Sequence, residues 1–310
     1  MKPILITCYV NPDLDGYASL VAYAELFDKK GGNVIAGIIG QPHDEVEYVL
    51  DRFGLDKVDE ISDDELFNEV ILVDASDVNC LKGKINPEKV IEIIDHRKIH
   101  EADKFINAKA QIELVGAAAT LIAEKFKLEN ITISQKSAIL LYSAIISNTL
   151  NFKGSITTIR DMDMAKWLRQ FINVSNDYWI DLFTAKSDLS GSKLAKTIEG
   201  DSAWFTIAGK KITIAQLEII GVKDLIEKRL PEIISALKKL KGNNELEIVF
   251  LNAIDLKLGN NTIVATDAGT KKLLEKSLGV KFVGDVAKKK SVIMRKQIIP
   301  LIKMELENNL

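Results

Sequence analysis

Four short β-branched runs dominate the first third of the chain: PILIT (3–7), NVIAGII (33–39), EVILVDA (69–75) and KVIEIID (89–95). Runs this brief and this continuously apolar suit strands buried on both faces, because a half-exposed strand alternates apolar with polar residues. Between the first two, GYASLVAYAELFDKKGG (16–32) keeps helical spacing and stops at a Gly pair. Strand and helix in alternation predict a doubly wound, mainly parallel α/β domain. Three further segments, GAAATLIAEKF (116–126), SQKSAILLYSAIISN (134–148) and RDMDMAKWLRQF (160–171), extend it with helices.

The pattern then changes. AKSDLSGSKLAK (185–196) replaces apolar periodicity with Ser, Gly and Lys, so the expected division is a first domain over 1–188, a linker over 189–194 and a second domain over 195–310. That second domain reads as a smaller α+β unit: two β-rich runs around a Gly-Lys-Lys turn (203–220), a long helix (221–240), a strand (246–252) and NTIVATD (261–267). At 310 residues, 47% hydrophobic, the chain can bury a sizeable core. A formal charge of −3 offers no general field for nucleic acid or an anionic membrane. No run approaches the roughly 18 apolar residues of a spanning helix. Cys8 and Cys80 make no disulfide framework, and the N-terminus lacks a secretory pattern, so a cytoplasmic setting is expected.

The acids stand where ligands bind in such sheets, beyond the carboxyl ends of strands. The first run leads to Asp13 and Asp15, the third runs into Asp74, and the fourth into Asp95 and His96. Carboxylates packed together repel unless a cation lies among them, and carboxylate with imidazole is a common donor set for divalent metals. Taken one at a time, each acid could simply cap a helix; their recurrence at matching strand ends favours the metal.

NPDLDG (11–16), VDASD (73–77), IIDHR (93–97) and IISNTLNFKGSITT (145–158) resemble, in order and spacing, the four N-terminal motifs of the DHH phosphoesterase superfamily. GKKITIAQLE (209–218) and RKQIIPLI (295–302) resemble the second domain of the branch containing family II, manganese-dependent inorganic pyrophosphatases and exopolyphosphatases. The likeness implies that Asp13 and Asp74 hold one ion and that Asp15, Asp74 and His96 hold another. Asp95 would orient His96, and Arg295 and Lys296 would meet substrate phosphates. Manganese is the expected metal, with magnesium or cobalt as alternatives. A homodimer is an expectation of the same kind.

Where the pyrophosphatases carry His in the first motif, this chain has Tyr9; Arg97 replaces the second His of the third motif, as in prune proteins; and Asn148 replaces a metal-binding Asp. Tyr, with an ordinary pKa near 10, is a poor ligand for these ions. Asn148 could still coordinate through its carbonyl oxygen. Arg97 cannot act as a proton donor but can stabilise charge on a phosphate. Ala203 and Met294 stand where basic phosphate contacts are expected, which makes that region less cationic.

The resemblance therefore implies a metal-dependent hydrolase of phosphoanhydrides, pyrophosphate or short polyphosphate, or of a small phosphoester, with Asp74, His96 and Arg97 in catalytic roles. The alternative is a degenerate relative that binds phosphate compounds or a protein partner without turnover. His100 reads as a solvated helix residue, His43 as a helix start, and Cys8 as a small buried hydrophobe.

Overall fold

A computed structural model describes residues 2–98, 100–154, 156–243 and 246–308. It divides into two compact units, Met1–Ala185 and Lys186–Leu310, of different design.

In the first unit the elements run β1 (Ile4–Thr7), α1 (Leu14–Lys29), β2 (Val34–Ala36), α2 (Asp44–Phe53), β3 (Val70–Val73), β4 (Val90–Asp95), β5 (Lys109–Ile112), α3 (Ala118–Leu128), α4 (Gln135–Asn148), α5 (Ile159–Leu168) and α6 (Tyr178–Lys186). The five strands lie in the order β2-β1-β3-β4-β5, and every pairing is parallel. β3 is buried along its whole length, as its uninterrupted apolar run requires. One face carries α1 and α3, with α4 packed on both. The other is closed by side chains from connections, Phe67, Leu81, Ile85 and Phe105, over Leu5, Leu72 and Ile93. The links from β3 to β4 and from β4 to β5 are short 3₁₀ turns rather than full helices.

Chain order reverses beside β1: β2 lies on one flank and β3 on the other. At such a switch point the two connections leave in opposite directions and open a crevice at the strands' carboxyl ends. The residues after β1, β3 and β4 surround that crevice.

The second unit comprises α7 (Lys193–Gly200), β6 (Ser202–Ile207), β7 (Lys210–Ile219), α8 (Val222–Asn243), β8 (Ile248–Asp255), β9 (Asn260–Ala265), α9 (Ala268–Leu278), β10 (Phe282–Val283), β11 (Val286–Lys289) and α10 (Arg295–Glu307). Its sheet runs β10-β11-β9-β8-β7-β6, with β7 and β8 parallel and the other pairs antiparallel. β8 is buried throughout. Ile233 and Leu237 of α8 pack on one face, and Leu274 of α9 with Ile298 and Ile302 of α10 on the other.

One strand was not anticipated from the sequence, and two expectations change in detail. KAQI is a strand, β5, whose polar residues fit a sheet edge that is half solvated. The long helix is kinked at Arg229 (φ −132°), two residues before Pro231, whose ring and missing N–H disrupt the preceding turn. His100 is exposed but lies outside any helix.

Candidate metal centre

Asp13 ends the loop after β1. Its carboxylate Oδ1 accepts the backbone N–H groups of Asp15 (2.9 Å) and Gly16 (3.0 Å), so it is the N-cap of α1. Two residues on, within the first turn, Asp15 points inward and is 2% exposed. Its Oδ2 and Oδ1 accept from Ala118 N and Ala119 N, each at 2.8 Å, at the start of α3. A helix N-terminus favours that negative charge.

Asp74 follows β3 in the left-handed region, φ 53°, a conformation that Asp tolerates better than most side chains. Its backbone N–H continues the ladder to Ile94 O at 2.8 Å, which sends the side chain into the crevice. There His96 Nε2 lies 3.4 Å from Asp74 Oδ1 and 3.6 Å from Asp15 Oδ2. His96 Nδ1 is 3.0 Å from Val115 O, and since a carbonyl can only accept, that nitrogen carries the hydrogen. Nε2 is thereby the ring nitrogen turned toward the acids, and the one that a cation would take when its proton is displaced.

Asp15, Asp74 and His96 offer ligand atoms all within 4.8 Å of one another. Asp74 Oδ1 is buried without a hydrogen-bond partner: His96 and Arg97 are ion-pair neighbours that do not complete a bond to it. Oxygen donors about 2.1 Å from one hard cation lie roughly 3 Å apart along a coordination edge, close to the separations here. The residues fit a divalent ion.

Charge on these groups follows from their burial. Asp15 is held well above the ordinary carboxylate range by burial and by the charge of Asp74. Asp74 is raised to about 6, burial and Asp13 outweighing His96 and Arg97. Burial alone would lower the His96 imidazole, yet contact with Asp74 and the charge of Asp15 lift it to about 10. The cluster thus retains protons that a divalent ion would displace.

The remaining residues singled out from sequence are placed differently from one another. Asn148, the last residue of α4, donates through Nδ2 to Asp15 Oδ2 (2.8 Å) and Gly116 O (3.2 Å). Both partners are acceptors, so the amide nitrogen, not the carbonyl oxygen, faces the acids. Asp95 is fully buried, accepts the His96 backbone N–H at 2.7 Å and takes the Ser76 hydroxyl. It fixes the strand end that carries His96, while Val115 orients the ring. Tyr9 accepts the Asp13 N–H at 3.2 Å, and burial with the Asp74 and Asp13 charges pushes its phenol far up. It is neutral. Arg97 lies over the Tyr9 ring, 5.3 Å from its centroid, and donates to Asp74 O at 2.9 Å. In the second unit, Arg295 donates to Ile214 O and to both the carbonyl and the carboxylate of Asp201, and Lys296 is exposed. Cys8 is buried, as expected.

Two buried carboxylates escaped the sequence reading. Glu45, 2% exposed, accepts Leu14 N and Ser147 Oγ, tying the Asp13–Asp15 turn to the end of α4. Asp161 accepts from Gly116 N, Thr120 Oγ1 and Thr158 N, and so braces the Val115–Gly116 turn that orients His96. Their signal, an acid in the first turn of a helix, is common on solvated surfaces too.

Acids and an imidazole gathered at the switch point of a parallel sheet, with a second mixed α/β unit downstream, define a DHH-type protein. The "DHH family, N-terminal domain" model matches residues 3–145, and the "DHHA2 domain" model matches 180–304. The "Manganese-dependent inorganic pyrophosphatase" of Bacillus subtilis is 31% identical over 306 residues, 97% of this chain and 98% of that protein. A "Probable manganese-dependent inorganic pyrophosphatase" of Bacillus velezensis is 32% identical, over the same shares of the two chains. Among solved structures, a Methanococcus jannaschii protein proposed as a family II inorganic pyrophosphatase superposes with a TM-score of 0.65 at 27% identity, over 98% of this chain and 99% of its own. The chain belongs to the DHH family, in the branch of the family II inorganic pyrophosphatases.

Proposed function

We propose that this chain is a metal-dependent phosphohydrolase that splits a phosphoanhydride, with inorganic pyrophosphate as the favoured substrate and manganese as the favoured ion, held by Asp15, Asp74 and His96. One observation carries the reading. Asp74 Oδ1 is a buried carboxylate oxygen with no hydrogen-bond partner, 3.4 Å from the His96 imidazole Nε2 and beside a second buried acid. Such an oxygen is costly to leave unpaired in a core and is stabilised by a cation. The named relatives at 31% and 32% identity support both metal and substrate.

A divalent ion there would supply charge neutralisation for phosphate oxygens and an acidified water near neutral pH. The chain's own groups do the positioning. Val115 O keeps the hydrogen on His96 Nδ1, and Asp95 holds the backbone of the same residue. The N-terminus of α3 donates two N–H groups to Asp15 and keeps it turned inward. Arg97, one-third exposed, uses one N–H on Asp74 O and has others to offer a phosphate oxygen.

A second reading, binding without turnover, is favoured by the Asn148 amide, which presents a donor where the resemblance implies a ligand oxygen. Phosphate release from pyrophosphate, tripolyphosphate and nucleotide phosphoesters, with Mn²⁺, Mg²⁺ or Co²⁺, separates the two. Release lost in Asp74→Ala supports the hydrolase. Silence across the panel, with Mn²⁺ demonstrably bound, supports the binding protein.

A further inference from the structure

We infer that this centre takes a single divalent ion, between Asp15, Asp74 and His96, and that Arg97, seated on Tyr9, provides beside Asp74 the fixed positive charge that a second ion would otherwise bring. The inference deepens the metal-dependent reading above and concerns the count of ions, not the substrate.

Three observations converge. First, among the described residues, the ligand atoms that gather within 4.8 Å belong to Asp15, Asp74 and His96, and Asp13 is not among them. Asp13 spends Oδ1 on two backbone N–H groups of α1. Its charge is complemented by the helix that it caps.

Second, the Tyr9 side of Asp74, toward Asp13, is already cationic. Arg97 Nη2 is 3.5 Å from Asp74 Oδ1 and bonded to Asp74 O at 2.9 Å, and Arg97 Nε is 3.8 Å from Asp95 Oδ1. A guanidinium keeps its charge at any working pH. A dication bridging from Asp74 toward Asp13 would have to settle beside it, against like-charge repulsion in a poorly solvated crevice.

Third, Tyr9 serves as the seat of that guanidinium. Its ring lies 5.3 Å from the Arg97 carbon, at cation–π range, and its hydroxyl accepts the Asp13 N–H. Tyr9 and Arg97 therefore act as a pair, one presenting the aromatic face and the other the charge. Four acids, Asp13, Asp15, Asp74 and Asp95, face one guanidinium and one dication. That leaves one unit of negative charge, which Asp13 can carry at the head of α1.

The test is a count made without substrate. The full chain, stripped with chelator, is titrated with Mn²⁺ by equilibrium dialysis and elemental analysis, and the bound ion is examined by electron paramagnetic resonance. The expected result is one Mn²⁺ per chain with the spectrum of an isolated ion. Two ions per chain with an exchange-coupled spectrum would overturn the inference, and so would no binding at all. The double variant Tyr9→His with Arg97→His, its folding checked by circular dichroism, should gain a second, coupled ion; Arg97→Gln serves if the double variant does not fold. A count unchanged in a folded variant refutes the part assigned to Arg97. A chain that binds one ion yet releases no phosphate would leave this inference standing and sink the proposed hydrolase activity, so the two failures are distinguishable.

Discussion

Asn148→Asp converts a donor into an acceptor at the edge of the acid cluster, and its consequence can be worked from two distances. In the native chain Asn148 Nδ2 donates to Asp15 Oδ2 at 2.8 Å and to Gly116 O at 3.2 Å. An ionised Asp there would face a carboxylate and a carbonyl. At an effective dielectric near 20, two unit charges about 3 Å apart repel by roughly 5–6 kcal/mol. The new acid can escape by binding a proton, which at pH 7 costs about 4 kcal/mol against a reference pKa near 3.9. The smaller figure sets the largest penalty, because the protonated acid can again donate to Asp15, and any proton that Asp15 already holds reduces it. For the first unit, 185 residues long, about 2–4 °C of melting temperature accompanies each kcal/mol, so the chelated variant should melt below the native chain by up to roughly 8–16 °C, most at a pH where Asp15 is ionised. Saturating Mn²⁺ should recover most of that difference, because a dication satisfies both acids. Differential scanning calorimetry with chelator and with Mn²⁺ reads both quantities. Equal melting temperatures in chelator would refute the assignment of the amide nitrogen to the acid side, and with it the view that Asn148 acts as a donor.

Two other perturbations test the scaffold. Glu25 on α1 accepts Ser134 N, both Ser134 and Ser137 hydroxyls and pairs with Lys29; these outweigh burial and hold its carboxyl below its ordinary value of 4.5. A depressed folded-state pKa adds stability above the unfolded value and loses it as pH falls through the folded one, so the urea-midpoint gap between native chain and Glu25→Gln should be wide at neutral pH and close below pH 4.5; a gap unchanged at pH 3 would count against it. Gly116→Ala would place a Cβ 2.6 Å from Thr149 Cγ2 and 2.8 Å from Asp161 Oδ2, an overpacking worth about 1–3 kcal/mol. Mn²⁺ affinity should weaken with it, since the neighbouring Val115 carbonyl aims His96; an unchanged urea midpoint would contradict the close approach.

Three of the four apolar runs were legible because burial on both faces leaves few alternatives to a parallel strand, and those three carried their acids to one sheet edge. The run 33–39 gives only the short edge strand β2, where Ile35 is 44% exposed, so its apolar character does not mark burial. What sequence could not show was how each acid is used. Asp13 and Asp15 are two residues apart and look equivalent, yet the helix that begins between them turns one into a cap and the other into a buried group. Val115, an apolar residue in a turn, orients His96 through a backbone carbonyl, and backbone groups leave no trace in side-chain identity. The orientation of Asn148 depends on Asp15 and Gly116, both remote in sequence. β5 was missed because an edge strand tolerates polar residues that a central strand does not.

The order β2-β1-β3-β4-β5 bears on how the protein is made as well as on where it acts. Asp15, Asp74 and His96 follow three different strands, and the groups that steady them come from α3 and α4. No fragment of the first unit contains the centre, and in an unfolded chain its donors are scattered. Metal affinity is therefore linked to folding: an ion that recognises only the assembled unit stabilises it by mass action, more at each higher concentration of free metal. A cell's manganese supply would then set the lifetime of this protein together with its activity.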